Sequence, residues 1–311
     1  MLRLVCGSAP YCCAFDPETL TFLNGRAALP AHPPSAAETS SFLLDIEVDA
    51  RALRIEAQWV GIPSPEAPVI VFLHEGLGSV AMWRDFPQRL CAAVGARGLV
   101  YSRPGYGRST PRAAGEQWAP DFMHRQARAV LPAVLAAAGI DVVTRPPWLF
   151  GHSDGGSIAL LYASMFPQAL AGAVVLAPHI LVEAISIASI EKARDAWTTT
   201  DLRQRLARYH DDADSAFGGW NGAWLDPAFR DWTITGELHR IRCPLLAIQG
   251  VDDEYGTLEQ IRGIAREVPG TQLLELPACG HSPHKDQPEA LIEAVSAFMT
   301  RDAPTPASPP A

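Results

Sequence analysis

The sequence has no surplus of positive charge: 25 Lys and Arg stand against 34 Asp and Glu, a formal net charge of -9. A surface that tracks a phosphate backbone or an anionic leaflet needs the opposite sign, so neither nucleic acid nor membrane is an expected partner. Apolar runs of about eighteen residues, the length that reads as a membrane span, are also lacking. The segment from Met1 to Pro10 carries one charge and an apolar run cut short by Pro10. That makes a poor secretory leader, and the cytoplasm is the expected address. Cysteine is scarce and unpatterned: Cys6, Cys12, Cys13, Cys91, Cys243 and Cys279 show no metal-ligand spacing. A chain this long needs no disulfide framework, so all six read as reduced thiols. What is present is an ordinary globular composition, 48% hydrophobic and 19% charged over 311 residues, which excludes wholesale disorder.

Residues 1–40 are rich in Pro, Ala and Ser, without a sustained period of 2 or 3.6, and read as an irregular extension. From Phe42 the texture changes. Two alternating stretches, 42–48 and 53–60, predict a half-exposed antiparallel pair, and the continuous apolar runs 69–73, 98–101, 148–150, 173–176, 245–248 and 273–276 predict buried parallel strands. Helical spacing occupies 83–94, 122–138, 155–166, 258–268 and 289–299. Strand and helix therefore alternate, which predicts an α/β fold with a mainly parallel sheet covered on both faces. The rhythm breaks over 179–240, an excursion read as several short helices capping the carboxyl edge of the sheet. The expected organisation is thus a core over 41–178 and 241–302, a helical cap over 179–240, and a Pro-rich tail over 303–311.

The sharpest motif is Gly151-His152-Ser153-Asp154-Gly155-Gly156, between an apolar strand and an apolar helix. This is G-x-S-x-G in a strand-turn-helix context: the serine needs a tight turn to project its hydroxyl from the sheet edge, and the glycines let strand and helix approach. A Gly-rich turn that merely caps a helix is the plainer alternative. Together with His74-Glu75-Gly76-Leu77-Gly78-Ser79, Ser102-Arg103-Pro104-Gly105-Tyr106-Gly107-Arg108-Ser109 and Gly280-His281-Ser282-Pro283-His284, the chain resembles the α/β-hydrolase superfamily over residues 42–300. The resemblance implies an eight-stranded α/β-hydrolase sheet and a triad in the chain order serine, acid, histidine.

Serine becomes nucleophilic when an imidazole takes its proton, and that imidazole needs a carboxylate to fix its tautomer. Ser153 is the expected nucleophile. His281, delivered by a Cys-Gly-His turn after a strand, is the expected base, with His284 as rival. The acid falls in Gly250-Val251-Asp252-Asp253-Glu254, where the family pattern points to Asp253 while Asp252 and Glu254 compete. The family pattern also implies an oxyanion hole from the backbone N–H groups of Asp154 and Gly76. Glu75 stands where the family usually has glycine. It is expected to turn away from the hole and pair with an arginine such as Arg103 or Arg84.

Gly76-Leu77-Gly78-Ser79-Val80-Ala81 also matches G-x-G-x-x-A, a dinucleotide fingerprint, but the acidic residue that fingerprint requires is missing near Val100-Tyr101-Ser102-Arg103. No cofactor is implied, and His281 with His284, or His179 with Glu183, lacks a third ligand for a metal. Trp83, Tyr106, Leu181, Ile185, Trp220 and Trp224 are the candidate substrate-binding residues, although packing alone would account for any one of them. Basic residues near the expected pocket are few, Arg103 and Arg108, which favours a small, neutral, moderately hydrophobic carboxylic ester. A C–C bond hydrolase, a lactonase or a thioesterase with the same triad is the alternative. A non-turnover receptor on the same fold is the alternative of another class. The expected partner is a small-molecule substrate, and self-association into a homo-oligomer stays open.

Overall fold

The computed structural model describes residues 41–301. The readings made for residues 1–40 and 303–311, and for Cys6, Cys12 and Cys13, lie outside the described residues.

Two strands, β1 (Phe42–Val48) and β2 (Arg51–Gly61), form the antiparallel pair that alternation demanded. Five parallel neighbours follow in space: β4 (Arg97–Tyr101), β3 (Val69–Leu73), β5 (Trp148–His152), β6 (Gly172–Leu176) and β7 (Leu245–Gly250), with β8 (Gln272–Leu276) parallel at the far edge. The sheet order is β1-β2-β4-β3-β5-β6-β7-β8, and β2 meets β4 antiparallel. Strands β5, β6 and β7 are buried at every position, which is why 148–150, 173–176 and 245–248 read as apolar runs. β8 differs from the expectation of a fully buried run, because as an edge strand it leaves Leu273 exposed at 39%.

Alternation along each strand divides the interior in two. Val71, Leu73, Leu149 and Val175 point to one face and Ile70, Phe72, Phe150 and Val174 to the other. A 3-10 turn (Val80–Trp83) leads into α1 (Phe86–Val94). α2 (Phe122–Arg125) continues through a π-turn (Gln126–Val130) into α3 (Leu131–Ala137). α4 (Asp154–Met165) is buried on all sides, consistent with its lack of a polar face.

Between β6 and β7 lie α5 (Ala184–Thr199), α6 (Leu202–Leu206), α7 (Ala213–Leu225), a 3-10 turn (Pro227–Phe229) and α8 (Thr235–Leu238). Trp220, Trp224 and Trp232 of this excursion are buried in the core that holds α4. α9 (Glu259–Glu267) buries Ile261 and Ile264 on that same side, α10 (Pro283–Asp286) is a single turn, and α11 (Pro288–Arg301) packs beside α1 on the opposite face. No helix among the described residues is long and apolar enough to cross a membrane.

Candidate active site

The turn from β5 to α4 holds Ser153 at φ 54°, ψ -121°, a backbone conformation that L-residues seldom adopt. Such a conformation stores about 1–3 kcal/mol and persists only where the surroundings enforce it. Here the Ser153 N–H donates to Leu176 O at 2.8 Å, and Ser157 N–H donates back to Ser153 O at 3.0 Å. The turn is tight enough that a Cβ on Gly155 would lie 2.1 Å from Leu73 O, so glycine is required there. The N-terminus of α4 ends on Ser153, and its free N–H groups and dipole favour negative charge at that point.

Two loops at neighbouring strand ends meet this serine. The loop after β8 brings His281 Nε2 to 2.9 Å from Ser153 Oγ. The loop after β7 brings Asp253 Oδ1 to 2.8 Å from His281 Nδ1. Asp253 is 7% exposed and also accepts from Tyr255 N at 2.8 Å and Gln249 Nε2 at 3.0 Å. Burial alone would raise its carboxyl, but the His281 hydrogen bond and charge, with the Tyr255 N–H, outweigh burial and hold it below the usual carboxylate range. The two rival acids are elsewhere. Asp252 is exposed, and Glu254 accepts the backbone N–H of His281 at 3.1 Å. His284 is buried against Trp83 and His152, and burial pushes its imidazole down to about 2.

Beneath the loop after β3 lies a buried cation. Arg103 is wholly enclosed, with its guanidinium 4.7 Å above the Tyr106 ring and Nη2 3.7 Å from Asp154 Oδ2. The Glu75 carbonyl accepts three hydrogen bonds, from His74 Nδ1 at 2.7 Å, Arg103 Nη2 at 2.9 Å and Gly78 N at 3.1 Å. No described peptide is cis, so the Gly76 N–H of that peptide unit points opposite to this anchored carbonyl. It has no acceptor among the described residues, and Gly76 lines a cavity of ≈ 260 Å³ together with Ser153, Asp154 and His281. A side chain at Gly76 is sterically barred, since a Cβ would stand 2.0 Å from Trp220 Nε1.

Glu75 corrects an expectation. Among the described residues its carboxylate pairs with no arginine; Oε2 lies 3.5 Å from His152 Nδ1 and Oε1 3.5 Å from Lys285 Nζ. Burial opposes its ionisation, but the His152 contact and the Lys285 charge hold it well below the usual range. His152 in turn donates from Nε2 to His281 O at 2.7 Å, joining the β3 loop to the histidine loop. A second histidine joins that loop to the cap: His210 accepts from Gly107 N at 2.9 Å and donates to Leu77 O at 3.0 Å.

Of the six residues expected to line the pocket, Trp220 and Trp224 do. The other four are placed away from it. Trp83 is buried against Phe72, Phe86 and Phe150, because its 3-10 turn faces the far side of the sheet. Tyr106 is enclosed by His74, Arg103 and Trp118. Leu181 forms a bridge with Thr233, and Ile185, on the first turn of α5, is 38% exposed. The cavity wall instead uses Leu77, His179, Ile190 and Tyr255. Arg108, expected near the pocket, lies outside the cavity wall, with Nε 3.9 Å from Glu56. Sequence reading weighed His179 only as a metal ligand with Glu183 and missed its place in the cavity wall, for which the signal was its position just beyond the carboxyl end of β6. The rival dinucleotide motif leads into a 3-10 turn at Val80, without the α-helix N-terminus a pyrophosphate would need.

Comparison with known proteins agrees with this architecture. The chain is 28% identical over 256 residues to polyketide synthase ThaQ of Burkholderia thailandensis, a match that covers 74% of this chain and only 12% of that much longer protein. Among solved structures it is similar to a bacterial membrane phospholipase A (TM-score 0.65, 20% identity, 85% of this chain and 87% of that one). It is also similar to a putative aryl esterase from Burkholderia cenocepacia (TM-score 0.63, 18% identity, 84% and 99%). The enol-lactonase of Burkholderia xenovorans is similar to the same degree (TM-score 0.63, 18% identity, 82% and 99%). At these identities the structures share the fold. The sequence profile of the alpha/beta hydrolase family matches residues 70–294, from β3 into α11, and the chain belongs to that family.

Proposed function

We propose that the protein is a serine hydrolase acting on a small, neutral, moderately hydrophobic carboxylic ester. The observation that carries this reading is the relay from Asp253 through His281 to Ser153 Oγ, with hydrogen bonds of 2.8 and 2.9 Å, at the wall of a cavity of ≈ 260 Å³. Ser153 Oγ attacks the ester carbonyl carbon as His281 Nε2 takes its proton, and Asp253 stabilises the imidazolium. The resulting oxyanion is held by the N–H groups of Gly76 and Asp154, each worth about 2.7–4 kcal/mol of transition-state stabilisation. Collapse breaks the C–O bond, and the departing alcohol receives the proton from His281. Water then attacks the acyl-enzyme with His281 as base, releasing the acid and restoring Ser153.

Substrate charge follows from the wall. Among the described residues it contains Glu254 and Glu75, the latter paired with Lys285, and no Lys or Arg of its own, which favours a neutral substrate over an anionic one. Leu77, Ile190, Trp220 and Trp224 supply apolar surface. The likeness to one segment of a polyketide synthase favours a second reading, an acyl thioester cleaved by the same steps. A panel of p-nitrophenyl esters, matched thioesters, lactones and a ring-fission diketone tests both. Preference for short neutral esters supports the first reading, and preference for thioesters the second. Acylation of Ser153 without steady-state release of acid would make the protein a receptor instead.

A further inference from the structure

The cavity wall holds a histidine that the steps above do not use. His179 is 2% exposed, and neither of its ring nitrogens has a partner among the described residues. The ring is fixed in place. Its backbone is clamped by Ser157 Oγ, which accepts from His179 N at 2.9 Å and donates to His179 O at 2.6 Å. Its faces meet the Trp224 ring at 4.9 Å and the His281 ring at 5.9 Å between centroids.

Burial, with the neighbouring His281 charge, holds the imidazole down to about 3, so it is neutral at any working pH and carries one proton. The fully buried atom without a partner is Nδ1. A buried orphan N–H is rarer and costlier than a buried orphan lone pair, so the proton belongs on Nε2. A neutral N–H donor is thereby presented beside the reacting serine. Protein interiors seldom leave such a donor unmatched, and pure hydrocarbon in the cavity would leave it so. The acidic, Lys- and Arg-free wall makes a neutral oxygen the matching acceptor.

We propose that His179 is a specificity-determining residue: its Nε2–H donates to a neutral carbonyl or hydroxyl oxygen that the substrate carries beyond its scissile carbonyl. This rests on the acyl-transfer reading, and it narrows the substrate class to oxygenated esters. A site built around a hydrogen bond discriminates against the analogue that lacks it, because the protein group is then stranded.

The test compares kcat/KM within two matched series. In the acyl series, ethyl 3-oxobutanoate and ethyl 3-hydroxybutanoate are set against ethyl butanoate. In the alcohol series, 2-methoxyethyl butanoate is set against butyl butanoate. Comparing each preference between wild type and His179→Phe cancels intrinsic ester reactivity. The preference for the oxygenated member should fall about 10- to 100-fold in one series, which also locates the oxygen, and a change below about threefold in both series overturns the proposal. His179→Gln, which keeps an N–H donor, should restore part of the preference; a His179→Gln protein as indifferent as His179→Phe would contradict the donor role. If His179→Phe does not fold, His179→Asn, too short to reach the same oxygen, carries the same expectation. Binding of the same ligands to Ser153→Ala protein, read by tryptophan fluorescence, separates the two levels. Absence of hydrolysis by wild type would remove the acyl-transfer reading, whereas equal affinity for oxygenated and plain ligands would remove the role of His179.

Discussion

Replacing Arg103 with methionine takes away the cation beneath the β3 loop while filling similar volume. The variant strands the Asp154 carboxylate, whose side chain is 1% exposed and which has Arg103 at 3.7 Å as its one ion-pair partner among the described residues. It also removes one of three donors to the Glu75 carbonyl. Breaking a buried pair from one side costs about 3–5 kcal/mol. That cost has a ceiling, because Asp154 can escape by taking up a proton. Burial already raises its carboxyl above the usual range, with Arg103 and the Trp224 N–H opposing, and without Arg103 the rise is larger. Native Asp154 then holds a proton that the unfolded chain, titrating near about 3.9, has released. Stability is therefore retained at low pH and lost as pH rises through the raised native value. Urea unfolding of Arg103→Met at pH 5 and pH 8 should show a larger deficit against wild type at pH 8, and Arg103→Met with Asp154→Asn should recover much of it. A deficit independent of pH, unrelieved by Asp154→Asn, would refute the ion-pair reasoning and leave only lost packing.

Asp253→Asn should lower ester kcat by about 10⁴, since an amide cannot hold the imidazole in the required tautomer, whereas Asp252→Asn, an exposed side chain, should leave kcat near wild type; stopped-flow rates on the two proteins decide, and the reverse order would move the acid by one position. Glu75→Gln should lower the melting temperature at neutral pH by loosening the contacts to His152 and Lys285. Because the Glu75 carboxyl is held below its usual value, that difference should persist down to about pH 4.3, the unperturbed value, and fade as acid protonates it in the wild type. Thermal melts at pH 7 and pH 3 that differ from the variant by the same amount would contradict this.

Much of the architecture was legible because burial writes a period into the sequence. Runs such as 69–73 and 245–248 are apolar at successive positions since both faces of their strands are covered. β8 was legible as a strand but not as an edge, because edge position depends on sheet order, which no local pattern carries. Ser153 and His281 could be singled out because each follows a strand at the same end of the sheet, where the topology gathers loops, whereas Asp253 was preferred to Asp252 and Glu254 on the family pattern alone. Glu75 could be recognised as anomalous, but its partners His152 and Lys285 are 77 and 210 residues away in sequence, and no spacing rule connects them. The pocket was the least legible part. Trp220 and Trp224 sit one turn apart on α7 and share a face, while Trp83 and Tyr106 had suitable chemistry but were claimed by aromatic packing.

Covalent labelling of Ser153 goes straight to the proposed chemistry. A fluorophosphonate probe should add once per chain, with the mass shift on the peptide containing Ser153. Ser153→Ala and His281→Ala should label negligibly while keeping the wild-type melting profile, and Ser153→Ala should release no acid from any ester in the panel. Undiminished ester hydrolysis by Ser153→Ala, or an adduct mapped to another residue, would mean that the relay of Asp253, His281 and Ser153 is not the catalytic machinery.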